Sequence, residues 1–411
     1  MSRLPAALLG GALTTAALTA KAAAPPPISP DEGRQIAPHT ATFAPGRGVG
    51  VASRDGRWSA RISLRTGVQA TVNAPHDPAA PTHVALELRR LRAVIFGNAL
   101  SRHVEYFFQL GLAPRDLGHD GRSARYAPAL DAYVDFTYLR DATLRVGKYR
   151  PQYNRERLIL DINPLLIDRS LANAEFNFDR DVGLDLRSPD LFGLGLMRYY
   201  AGVFRGHGRD PKSPGAPGLL YTARFELLPF GLFDDYDSAD LSRERRLRLA
   251  FGGAYAYHDR AKNNRGVLGV PPADGGTTNY HSATADLLLK YAGWYLEAGF
   301  LWRRGRRSPG DAEDADGAPV PVEPARSGYG WFAQTALLIP RTDLEPALRY
   351  AEVAPLGVDS SLTRRSELGG GLNYYFYGHN LKVQADYFHL WSDAKITRGD
   401  DQFRLLLQLA F

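Results

Sequence analysis

Cysteine is absent from this chain of 411 residues. Thiol catalysis, thiolate metal sites and disulfide redox chemistry are therefore excluded. Lysine is scarce, with only seven among fifty basic residues. Long apolar runs are missing after the first twenty residues, so no later stretch reads as a spanning helix. The HExxH and GxSxG patterns of metalloproteases and esterases are missing as well. No basic run with interleaved aromatics offers a nucleic-acid surface. The formal charge is only +6, a mild bias.

The one early apolar run has the marks of export. Arg3 precedes Leu4 to Ala20, which is uncharged, and Ala20-Lys21-Ala22 or Ala22-Ala23-Ala24 supplies a small-residue cleavage site. Residues 1–24 are expected to form a signal peptide. An exported chain of this size without a disulfide draws its stability from elsewhere, and a closed ladder of strands can supply it.

The last ten residues, Gln402 to Phe411, carry large apolar side chains at every odd position. Alternate side chains of a strand point to opposite faces, so this segment has one continuous apolar face. Gln402, Arg404 and Gln408 share the other face. An oily face ending in an aromatic suits the closing strand of a transmembrane barrel. The same period of two recurs in about sixteen segments: Ile62 to Ala70, Val104 to Leu110, Leu130 to Tyr138, Leu247 to Tyr255, Leu287 to Tyr291 and Leu381 to Tyr387 are examples. Segment 84–96 is irregular, because Arg89 and Arg90 break the alternation, and a bulge would accommodate them. The 21 Tyr, 19 Phe and 5 Trp fit aromatic girdles at two membrane interfaces.

Connection lengths divide into two sets. Arg140-Asp141, Ala292-Gly293, Pro340 to Asp343 and Gly378-His379-Asn380 are short; 151–177, 206–217, 229–244, 259–279 and 304–327 are long. Short periplasmic turns and long extracellular loops are the rule for porin-type barrels. The expected architecture is all-β: a sixteen-stranded antiparallel transmembrane barrel over 48–411, with an irregular periplasmic lead-in over 25–47. Loop 151–177 holds Ile159, Leu160, Ile162, Leu165, Leu166 and Ile167, too apolar for water. It is expected to fold inward and narrow the lumen.

The order and spacing of several stretches resemble the phosphate-selective porin O and P family. They are Glu87 to Arg92, Val146-Gly-Lys148, Ile167-Asp-Arg-Ser170, Ala285 to Lys290 leading into Leu296-Glu297-Ala298, Gly328 to Tyr350, and Gly369 to Tyr387. The resemblance runs from about residue 48 to 411. It implies a sixteen-stranded, homotrimeric outer-membrane channel of a Gram-negative bacterium, with loops folded inward and an arginine-lined lumen. The family's selective members carry lysine in the constriction loop; here 151–177 has Arg155, Arg157 and Arg169 and no Lys.

The candidate anion path is therefore Arg155, Arg157 and Arg169 on the loop, with Arg61, Arg65, Lys290 and Arg349 on the wall. Guanidinium groups bind phosphate and carboxylate with a planar fork of donors. Arg145, Arg224, Arg246, Arg248, Arg303, Lys382 and Arg404 also fall on the expected inner face. Against them stand Glu105, Asp131, Asp135, Asp185, Glu226, Asp286, Glu297, Glu345 and Asp386, a mix close to balance. The expected function is passive diffusion of small hydrophilic solutes with anions preferred, inorganic phosphate or polyphosphate among them. A general porin, a barrel-type hydrolase and a soluble secreted β-protein that binds glycans are the alternatives. No cofactor, metal or catalytic residue is expected: the acidic run Asp311 to Asp316 lacks the ligand spacing of a calcium loop.

Overall fold

A computed structural model describes residues 39–44, 46–117, 128–209, 218–393 and 395–411. The expected signal peptide, and residues 25–38 of the expected lead-in, lie outside them. The described chain contains eighteen strands: β1 (His39–Ala44), β2 (Gly48–Ser53), β3 (Ser59–Ala74), β4 (His83–Ala99), β5 (Ser101–Gly111), β6 (Ala129–Phe136), β7 (Thr143–Tyr149), β8 (Asp181–Ser188), β9 (Met197–Phe204), β10 (Leu220–Leu227), β11 (Arg248–Ala261), β12 (Thr277–Tyr291), β13 (Trp294–Ser308), β14 (Gly328–Leu337), β15 (Leu344–Pro355), β16 (Arg365–Tyr377), β17 (Leu381–Ser392) and β18 (Asp400–Ala410). Two short helices, α1 (Arg155–Leu158) and α2 (Leu171–Phe176), interrupt the link between β7 and β8.

Strands β3 to β18 pair antiparallel in chain order, and β18 returns to β3 from Asp401↔Ala74 to Ala410↔Arg65. This closes a sixteen-stranded barrel. Phe411 completes the seam: its N–H donates to Leu64 O at 2.9 Å, and its carbonyl accepts from Leu64 N at 2.7 Å. Below that point β2 takes over the edge of β3, pairing Val49–Ala52 with Ile62–Ser59. In turn β1 pairs with β2. The lead-in expected to be irregular thus contributes a strand, β1, which pairs with the edge of β2 that β3 leaves open.

Alternation sets the faces. Leu405 and Leu407 are 51% exposed, whereas Leu406 and Gln408 are 0% exposed. The outward set is the lipid face; the inward set meets the lumen filling. Trp294, Tyr291, Tyr374, Phe376 and Tyr377 stay exposed near one rim, where aromatic girdles sit. That rim carries the short turns, and the β12–β13 turn is two residues, Ala292 and Gly293, both at positive φ. This is the twist-compatible type I′ geometry. The opposite rim carries the connections 150–180, 262–276 and 309–327. One long link breaks the pattern. Segment 228–247 joins β10 to β11 at the short-turn rim, not at the rim expected from its length.

Candidate functional site

Segment 150–180 leaves β7, crosses the lumen and returns to β8. Its two helices are locked together by caps. The Asn154 side chain accepts from Glu156 N at 3.1 Å and that of Ser170 from Asn173 N at 3.1 Å. Glu156 in turn accepts from Ser170 N and Ser170 Oγ, each at 2.6 Å. Ile159, Leu165, Leu166 and Ile167 are at most 2% exposed. Irregular backbone at this depth needs hydrogen-bond partners within the protein. The far wall supplies them. Gln408 donates to Ile162 O at 2.8 Å, Asn373 to Leu165 O at 2.9 Å and Lys382 to Pro164 O at 3.1 Å. The loop therefore spans from β7 and β8 to β16, β17 and β18.

On one side of this bridge the lumen is filled. Arg155 is 0% exposed and donates to Asp286 at 2.7 Å, Asp235 at 2.5 Å and Glu226 at 3.2 Å. Arg224 and Arg198 share the same three carboxylates. Asp235 lies on 228–247, which has folded in from the other rim. Ser238 N on the same segment donates to Asn163 O of the bridge at 3.2 Å. Three arginines against three carboxylates make a closed, neutral block.

On the other side the charges do not balance. A cavity of about 510 Å³ is lined by eleven arginines, namely Arg89, Arg90, Arg92, Arg115, Arg150, Arg157, Arg169, Arg180, Arg209, Arg349 and Arg404, and by five carboxylates, Asp116, Asp161, Asp168, Asp179 and Glu367, while Asp131 and Asp386 outside the lining pair with Arg180 and Arg404. Asp116 holds the fork of Arg92 with both oxygens, and the other carboxylates each take a second partner. Asp161 accepts from Arg150 at 2.7 Å and Arg169 at 3.0 Å, and also from Arg92. Burial alone would raise the Asp161 carboxyl, but Arg150, Arg92, Arg169 and Arg180 outweigh it and hold it well below the usual carboxylate range. Asp168 links Arg404 at 2.7 Å with Arg89. Arg90 bonds Gln408 at 3.1 Å and has no ion-pair partner among the described residues. A guanidinium has five N–H donors, so arginines held by one or two acceptors keep others for a solute.

A register shift makes this basin. On β3, Gly67 faces Arg90 and the next residue, Val68, faces Leu88. Arg89 is the extra residue of a β-bulge, so Arg89 and Arg90 both turn inward, at 9% and 6% exposure. This is the irregularity expected in segment 84–96.

Of the residues singled out from sequence, the structure brings Arg157, Arg169 and Arg349 to the basin. Arg349 is held by Glu367 at 2.8 Å and donates to Asp168 O at 2.7 Å. Arg155 is sealed in the neutral block instead. Lys290 donates to Asp234 O at 2.7 Å and holds the inward segment 228–247. Arg61 donates to Thr42 Oγ1 on β1 at 3.1 Å, near the short-turn rim. Arg65 faces Arg92 across the β3–β4 ladder outside the basin lining. The bulge signalled Arg89 and Arg90 in the sequence, but nothing local marked Arg150, Arg180 or Arg209. No cluster of three metal-ligating side chains exists among the described residues.

The architecture is a porin-type barrel of the Gram-negative outer membrane, and solved structures share it. The anion-selective porin from Comamonas acidovorans superposes with a TM-score of 0.56 at 11% identity, over 86% of this chain and all of that one. The outer-membrane channel DcaP of Acinetobacter baumannii gives 0.55 at 10% identity, over 88% and 99%. Outer-membrane-expressed OmpT of Vibrio cholerae gives 0.51 at 8% identity, over 86% and 98%. At these identities the likeness is one of fold. No family profile and no curated sequence relative matches the chain.

Proposed function

We propose that this barrel is an anion-preferring diffusion channel of the Gram-negative outer membrane, with no catalytic role. The observation that carries the reading is the arginine basin beside the bridging loop, with eleven guanidinium groups against five carboxylates on its lining and two more, Asp131 and Asp386, paired to it from outside. An anion entering it exchanges part of its hydration for fixed N–H donors. At an effective dielectric of about 20, one unit charge at 4 Å is worth about 4 kcal/mol. Several unmatched arginines therefore suffice to favour anions, while the pinning acids weaken the hold enough for release.

Inorganic phosphate is among the permeants, since planar forks suit its oxygens. The described similar proteins named as a porin and a channel support passage rather than catalysis. A homotrimer is the assembly we propose, as in the trimer form of OmpT from Vibrio cholerae. The test is the reversal potential of the purified protein in a planar bilayer under a steep KCl gradient. The reading requires the sign of a chloride-preferring channel; a potassium-preferring sign refutes it. Competition by phosphate for chloride current then separates phosphate preference from general anion preference.

A further inference from the structure

A second cavity of about 330 Å³ lies further down the same wall and has different chemistry. Strand β4 carries Arg90 and Arg92 into the arginine basin and then Phe96 and Asn98 into this one, toward the short-turn rim. Arg92 and Phe96 are four residues apart, about 13 Å along a strand. The two cavities therefore lie one below the other along β4.

Three rings on neighbouring strands form a row here. Phe96 pairs with Phe107, and Phe107 with Tyr133, across the β4–β5 and β5–β6 ladders. Phe107 and Tyr133 lie 5.2 Å apart with planes 14° from parallel, and Phe96 lies 6.4 Å from Phe107. The guanidinium of Arg145 covers Tyr133 at 3.7 Å and is held by two 2.6 Å bonds to Asp135. The four planar groups stack in one row, and Phe96, Phe107, Tyr133 and Arg145 all line the cavity. Ring edges carry the positive part of the quadrupole. The charges themselves cancel, Arg102 and Arg145 against Glu105 and Asp135. A bare inorganic anion gains little from such a wall. A flat ring gains edge-to-face contact, and Arg102 on the lining of the same cavity offers its charged group a partner.

We propose that this row of planar groups is a binding station for the planar ring of an aromatic carboxylate, so that organic anions of this class are permeants of the channel. This rests on the anion-channel reading and narrows it. The test compares block of chloride current by benzoate, acetate and inorganic phosphate in bilayers holding the purified barrel. Benzoate should half-block at a concentration roughly fivefold below acetate, the size of one aromatic contact. Phe107→Leu with Tyr133→Leu should bring the two within about twofold and leave phosphate block unchanged. Should the double variant not fold, Phe107→Leu alone must shrink the benzoate advantage. Equal block by benzoate and acetate in the natural protein, or an undiminished advantage in the folded variant, overturns the proposal. The reversal potential on the same membranes keeps the two readings apart: an anion-preferring channel indifferent to benzoate refutes the station only.

Discussion

Arg155 donates to the Asp235 carboxylate at 2.5 Å, although the two residues reach this point from opposite rims of the barrel. One sits on the bridge between β7 and β8, the other on the link between β10 and β11. Their contact, with Glu226 and Asp286 around it, fills one half of the lumen and confines the open space to the arginine side.

Breaking that contact should loosen both segments. Arg155→Ala leaves three buried carboxylates facing only Arg198 and Arg224, and removing one partner of a buried ion cluster costs about 3–5 kcal/mol. The expected result is a lower temperature for the loss of heat-resistant migration on gels, with higher and noisier single-channel conductance. Unchanged conductance in a folded Arg155→Ala barrel would show that the latch does not limit the lumen.

The bulge gives a sharper test. Deleting Arg89 removes the extra residue and leaves Leu88 outward and Arg90 inward, so the barrel should fold. Deleting Val94 instead, in a regular stretch, turns part of β4 inside out and should abolish folded protein in the outer-membrane fraction. Both outcomes are read from heat-modifiable migration. The Arg89 deletion should also reduce anion preference modestly.

The lipid face makes a third prediction. Leu407 sits between Val383 and Val68 on the outer surface. Leu407→Arg should cost roughly 2–4 kcal/mol if it lies near the midplane and lower the folded yield. Loss of Phe411 should do the same by opening the seam at Leu64. Normal yield in either variant would count against the assigned face and closure.

Acid should leave the bridge in place over a wide range. The folded value of Asp161 is depressed, so its stabilisation is fully present above its unfolded value, about 3.9. It is lost only as pH falls through the lower folded value. Conductance and selectivity should therefore stay level from about pH 8 to about pH 4 as far as this group is concerned. Replacement by Asn should make the bridge release at neutral pH, seen as raised conductance.

Much of the barrel was legible because period two along a strand is a local property. The alternation from Leu405 to Leu409 fixed the lipid face, and the apolar side chains from Ile159 to Ile167 marked an inward segment. The site was legible only in part, because a lumen is assembled from distant strands. Arg157 and Arg169 stand near Arg155 in sequence, yet Arg155 turns to β10 and β12 while the other two turn to the basin. The near balance of inner charges was true as a sum and hid their segregation into a neutral block and a basic cavity. Segment 228–247 was misplaced because length alone does not show which rim a link belongs to.

On the proposed function, the arginine basin sets selectivity. The most direct measurement is the reversal potential, under one KCl gradient, of the natural protein beside a variant with Arg90, Arg157 and Arg169 all changed to Gln. A chloride-preferring sign is expected for the first and a clear shift toward zero or beyond for the second, with both still folded. An unchanged potential in the triple variant, or no anion preference in the natural protein, would contradict it.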